Sequence, residues 1–157
     1  MTREEKFMQE AISLSLKGMS ANEGGPFGCV IVKNNKIVGR GNNRVTSTND
    51  PTAHAEIIAI RDACKNLGTF QLTDCEIYTS CEPCPMCLGA IYWARPRVIY
   101  FANNHADAAD AGFDDSMIYE EMNAAVAERK IPLIALGRKD AIKIFEAWKQ
   151  KNDKTAY

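Results

Sequence analysis

The stretch DCEIYTSCEPCPMCLGAIYWARPRVIYF, residues 74–101, decides the fold. An apolar-rich strand over 74–80 enters a cysteine cluster. A helix then starts at Pro85 and runs to about Ala94, and RVIYF at 97–101 is a further strand. Proline suits the first helical position, where its missing N–H leaves no bond unmade. Strand, helix and strand in that order predict an α/β sheet protein.

The rest of the chain extends the pattern on both sides. Residues 2–17 read as an amphipathic helix with Thr2 and Glu5 as a capping box and Gly18 as its end. CVIVK, an Asn34-Asn35 turn and KIVGRG form a hairpin. A polar loop, 42–52, leads into a second helix over about 54–67, closed by Gly68. Downstream, a polar stretch precedes a helix near 116–128, a strand IPLIAL at 131–136 and a last helix at 140–149. The expectation is a layered α/β sandwich with one mostly sequential sheet. It forms a single domain over 1–157, with 150–157 as a C-terminal tail.

Composition narrows the function classes. With 46% hydrophobic and 25% charged residues, the 157-residue chain is ordinary for a globular domain. A formal net charge of −1 offers no global positive field for nucleic acid, which favours a small neutral ligand. The charged start MTREEKF has no signal-peptide character, and no run approaches the ~20 apolar residues of a membrane span. A cytoplasmic protein is expected, and its six cysteines then point to core packing or metal ligation before disulfides.

CEPCPMC, 81–87, contains two overlapping Cys-x-x-Cys pairs. Residues three apart on a helix share a face, and at a helix start both sulfurs meet the positive end of the dipole. Cys84 and Cys87 fit, because Pro85 places Cys84 at the helix boundary. Cys81 does not, because Glu82 precedes Pro83 and is held extended. Zinc needs further ligands, and only two histidines exist. His105 lies in a polar loop and reads as solvent-exposed. His54, in DPTAHAEIIAIRDAC, stands two residues before Glu56. Positions two apart diverge by about 200° on a regular helix, so both address one metal only if the helix begins at His54. Three protein ligands, His54, Cys84 and Cys87, with a fourth position open to water, are the pattern of a catalytic zinc. Glu56 is then a proton carrier rather than a ligand. The non-catalytic alternative closes the metal with Cys81 as a structural site and leaves Glu56 without a purpose.

His-Ala-Glu at 54–56 followed by Pro-Cys-x-x-Cys at 83–87 resembles the signature of the zinc-dependent cytidine/deoxycytidylate deaminase superfamily. GGPFGCVIVK, NDPTAHAE, TSCEPCPMCLGAIYWARP and AGFDDS are similar to its bacterial guanine deaminase branch. The resemblance implies a three-layer α/β/α fold with a central sheet of about five strands and one Zn2+ per subunit. It also implies hydrolysis of guanine to xanthine and ammonia, with water as co-substrate, a zinc-held hydroxide as attacking group and Glu56 shuttling protons. Asp115 is implied as a second catalytic carboxylate. Phe27, Asn43, Ala55, Trp93 and Tyr157 are implied around the base, and the backbone near Glu82 beside the zinc's water. A homodimer is implied, with C-terminal segments exchanged in some relatives and Tyr157 closing the site. Cys81, Cys29, Cys64 and Cys75 read as core thiols. A tRNA adenosine deaminase, or another nucleobase or nucleoside deaminase, is the alternative with the same chemistry.

Overall fold

Alternation along β1 (Gly28–Lys33) sets the layers. Cys29 and Ile31 pack on one face and Val30 and Val32 on the other, and all four are fully buried. A strand apolar on both faces needs a helix layer on each side. The computed structural model describes residues 1–157 and supplies both layers. α1 (Arg3–Ser20) brings Phe7, Met8, Ala11 and Leu14 against Val30, Val32 and Tyr78. On the opposite face α3 (Ala55–Leu67) and α4 (Pro85–Ala94) pack against Cys29, Ile31 and Ile77.

The sheet has the order β2-β1-β3-β4. β1 pairs antiparallel with β2 (Lys36–Asn42) and with β3 (Glu76–Cys81). β3 pairs parallel with β4 (Val98–Asn103) after crossing over through α4, the unit predicted from residues 74–101. Asn34 and Asn35 both have positive φ, 49° and 60°, as the two-residue hairpin turn requires. Gly41 on β2 brings α3 close: a Cβ there would lie 2.1 Å from the Ala55 carbonyl oxygen. Any side chain at 41 would push away the start of α3, which carries His54 and Glu56.

Four details differ from what the sequence predicts. α1 runs through Gly18 to Ser20, because Gly18 serves packing rather than termination. A Cβ at 18 would meet Asn42 Nδ2 at 2.4 Å. The polar loop 42–52 contains a helical turn, α2 (Val45–Thr48). The polar stretch after β4 contains α5 (His105–Asp110), started by an Asn104/Asp107 capping box. The sheet has four strands rather than about five, since IPLIAL at 131–136 forms no ladder. An apolar run becomes a strand only where a free sheet edge satisfies its backbone, and periodicity carries no information on that edge.

The chain divides into two compact units, Met1–Asp115 and Ser116–Tyr157. The first contains the whole sheet with α1 to α5. The second consists of α6 (Ser116–Asn123), a short 3-10 turn at Val126–Glu128 and α7 (Arg138–Gln150). No helix is long and apolar enough to cross a membrane.

Candidate metal centre and active site

Two helix starts build the centre. His54 is the N-cap of α3, with extended backbone (φ −71°, ψ 156°), so regular helical phase begins only at Ala55. That break in phase lets His54 and Glu56 turn toward the same space despite their spacing. Cys84 is the N-cap of α4 with Pro85 at the first position, and Cys87 follows in the first turn. The Leu88 N–H donates to the Cys84 carbonyl at 2.9 Å and closes that turn.

His54 Nδ1 lies 3.6 Å from Cys84 Sγ and 3.5 Å from Cys87 Sγ. A tetrahedral zinc with bonds of ~2.0 Å to nitrogen and ~2.3 Å to sulfur separates those ligand atoms by about 3.5 Å. Both nitrogen–sulfur distances match that spacing, and the three side chains form a group that could hold a zinc ion. Their protonation suits the same end. The Cys84 thiol falls to about 4, first through its hydrogen bond with Cys87 and then through His54. The partner effect pushes Cys87 up, and burial adds to it. One proton is thus shared across the pair, leaving Cys84 as a ready thiolate ligand.

Cys81 is not a member of this group. Its side chain is buried at the end of β3, with Sγ 3.8 Å from the Asn104 carbonyl oxygen. Burial first, then the Glu56 carboxylate, raises its thiol to about 11. What separates Cys81 from Cys87 is position: the ligand atoms of His54, Cys84 and Cys87 lie within 4.8 Å of one another, and Cys81 is outside that group.

Glu56 is 6% exposed. The Thr79 hydroxyl donates to its Oε1 at 3.0 Å, and burial raises its pKa against the lowering effect of these hydrogen bonds. The sequence does not single out Thr79 as a functional residue. A signal for it exists in β3, where positions 77, 79 and 81 share the face turned toward α3.

Around this core the structure brings some expected residues together and leaves others apart. Asn43 is buried, and its Oδ1 accepts from the N–H groups of Gly25 (3.2 Å) and Val45 (3.1 Å). That pairing fixes the amide's orientation and leaves its NH2 end to donate. Phe27 is half-buried and meets Phe113 edge-on, with ring centroids 4.9 Å apart. The Ala55 side chain is fully buried in the core, so only its backbone can address a ligand. Its N–H, in the first helical turn, has no intrahelical acceptor. Asp115 is 19% exposed, with His105 Nδ1 3.3 Å from its Oδ2. Trp93 lies on an outer position of α4 and is 63% exposed. Tyr157 is exposed at the end of the second unit.

Known proteins share these features. Residues 1–103 match the model of the cytidine and deoxycytidylate deaminase zinc-binding region. The chain is 54% identical over 153 residues to guanine deaminase of Bacillus subtilis, covering 98% of each. It superimposes on the X-ray structure of that enzyme with a TM-score of 0.95 over 98% of both chains. A tRNA-specific adenosine deaminase from Streptococcus pyogenes is 46% identical over 99 residues, 62% of each chain. A solved guanine deaminase from Nitrosomonas europaea is 34% identical, with a TM-score of 0.66 over 69% of this chain and 63% of that one. Ligand set, buried carboxylate and matched residues agree: the chain belongs to the cytidine and deoxycytidylate deaminase zinc-binding family.

Proposed function

We propose that this protein hydrolyses guanine to xanthine and ammonia in the cytoplasm, using Glu56 as proton carrier beside a zinc held by His54, Cys84 and Cys87. One observation carries the reading. The metal-ligand set stops at three residues, and the next polar group is a buried carboxylate of raised pKa rather than a fourth ligand. A structural zinc would be closed by four protein ligands. When bound, zinc supplies Lewis-acid activation of the water that attacks the ring carbon bearing the amino group.

The chain's own residues handle the rest. Glu56 accepts the water's proton and passes it to the adjacent ring nitrogen. It then takes the proton of the hydroxyl added to the ring carbon and gives it to the amino group, so that the C–N bond breaks, the carbonyl forms and ammonia leaves. Thr79 holds that carboxylate at one oxygen. The Asn43 NH2 donates to an acceptor on the base, and the Ala55 N–H is a second donor in the same region. Phe27, braced by Phe113, floors the ring. Asp115 is the second carboxylate, placed to accept from the purine's amino group.

Guanine is favoured over a tRNA adenosine by the extent of the likeness. It amounts to 54% identity through 98% of the chain for the Bacillus subtilis guanine deaminase, against 46% over 62% for the Streptococcus pyogenes tRNA enzyme and 36% over 77% for the tRNA-specific adenosine deaminase of Bacillus subtilis. Ammonia release from guanine, guanosine, adenine, cytosine, cytidine and a tRNA anticodon stem is the test. Release from guanine is expected, and none would overturn the reading.

A homodimer with exchanged C-terminal segments is the proposed assembly. The segment 131–136 exposes Ile131, Leu133, Ile134 and Leu136, and α7 exposes Ile144, Phe145 and Trp148. Apolar groups so concentrated mark a protein interface. Tyr157 of one subunit then covers the other subunit's pocket. Deleting residues 153–157 is expected to cut guanine turnover at least about tenfold, because a closing residue excludes water from the reacting base. Zinc content should not change, and full turnover in the truncated protein would remove the tail from the site.

A further inference from the structure

His105 reads from the sequence as a loop histidine in solvent, and the structure places it between two carboxylates. Its Nε2 lies 3.3 Å from Glu82 Oε1, and its Nδ1 lies 3.3 Å from Asp115 Oδ2. Its backbone N–H also donates to Glu82 Oε2 at 3.3 Å. Glu82 in turn is tied to the sheet, its N–H donating to the Asn103 carbonyl at 2.8 Å where β4 ends. The imidazole therefore spans from the loop that delivers Cys84 to the loop that delivers Asp115.

The second loop leaves α5 through backbone bonds from the Ala111 N–H to the Asp107 carbonyl at 3.2 Å and from the Gly112 N–H to the Ala109 carbonyl at 3.0 Å. The Phe113 N–H donates to the Ala108 carbonyl at 2.8 Å, and its ring packs on Phe27. The carboxylates of Asp115 and Glu56 both raise the pKa of the buried Cys81 thiol. A carboxylate at the end of a short loop can rotate away unless something holds an oxygen. Each nitrogen of the His105 ring faces a carboxylate oxygen, so the one ring bridges both side chains.

We infer that His105 is a positioning residue: using Glu82 as its fixed anchor, it holds the Asp115 carboxylate in the orientation that deamination needs. The inference rests on the role proposed for Asp115. A misplacement of about 1 Å in a reacting group can cost about a hundredfold in rate. Rigid fixing of Asp115 should therefore appear in kcat.

The test compares His105→Asn, His105→Gln, His105→Ala, Asp115→Asn and the double variant His105→Ala/Asp115→Asn in the full zinc-loaded protein. The Asn amide nitrogen reaches the position of Nδ1, facing Asp115, and the Gln amide nitrogen reaches that of Nε2, facing Glu82. His105→Ala and His105→Gln are expected to lower kcat for guanine about tenfold to a hundredfold, with KM and zinc content little changed. His105→Asn should recover most of that loss, and the double variant should be no slower than Asp115→Asn. Full kcat in His105→Ala, equal losses in the Asn and Gln variants, or losses that multiply in the double variant would each overturn the inference. If His105→Ala does not fold, the Asn and Gln pair decides alone. Full turnover in Asp115→Asn would remove the Asp115 role and this inference together while leaving Glu56 and zinc in place. No turnover in the unmodified protein would overturn the reaction itself.

Discussion

Glu56→Gln is expected to abolish guanine turnover, by at least about 10³-fold in kcat, while the protein keeps its zinc. The substitution preserves shape, and the Gln carbonyl oxygen can still accept from the Thr79 hydroxyl, so the pocket should stay packed. What it removes is the group that accepts and returns a proton. Glu56 is 6% exposed, so bulk water cannot easily stand in for it. Burial also raises its pKa, which brings proton affinity closer to neutral pH and makes both transfers accessible. The measurement is ammonia release alongside metal analysis of the purified variant. Turnover within tenfold of the unmodified protein would rule out Glu56 as the proton carrier. Zinc lost together with activity would instead make it a ligand.

The second large effect separates the three sulfurs of CEPCPMC. Cys84→Ala is expected to lose zinc and all measurable turnover, whereas Cys81→Ala should keep both. Cys84 belongs to the group of three that could hold the metal and is the thiol already lowered to about 4, so it can supply the thiolate that the metal needs. Deleting one ligand of three from a site whose total binding is on the order of 10 kcal/mol forfeits several kcal/mol, a loss of about 10³-fold or more in affinity. Cys81 lies outside that group, buried at the end of β3 with its Sγ 3.8 Å from the Asn104 carbonyl oxygen. Truncating it to Ala removes one buried sulfur, at a stability cost of about 1 kcal/mol. Metal content after dialysis against a weak chelator measures both variants. Retention of zinc by Cys84→Ala, or its loss from Cys81→Ala, would reverse the ligand assignment.

Much of this centre is legible in the amino-acid sequence. Pro85 marks the start of α4, and a helix start is also where a cysteine pair can turn two thiolates to one side. The His54/Glu56 spacing makes sense only at a helix boundary, and the structure has the boundary between His54 and Ala55. The hairpin, the capping box at Thr2 and the close of α3 at Gly68 follow from local chemistry in the same way. Each depends on residues within a few positions of one another.

What stays hidden depends on contacts between distant segments. Gly18 has the appearance of a helix stop, yet it sits inside α1 because Asn42, twenty-four residues on, packs against it. Thr79 becomes a partner of Glu56 only because β3 passes beneath α3. The segment 131–136 has the apolar character of a strand and forms none, since a ladder needs an edge to bind and composition does not provide one. His105 is the sharpest case. Nothing in NNHADAAD shows that Glu82, twenty-three residues earlier, and Asp115, ten later, come within 3.3 Å of its ring. The α/β class, the ligand triad and its carboxylate are set by the order of residues alone, because helix starts and metal-ligand spacing are short-range properties. Which buried thiol stays off the metal, and how the second carboxylate is held, emerge only in the folded chain, because burial and long-range ion pairs exist only once the sheet has formed.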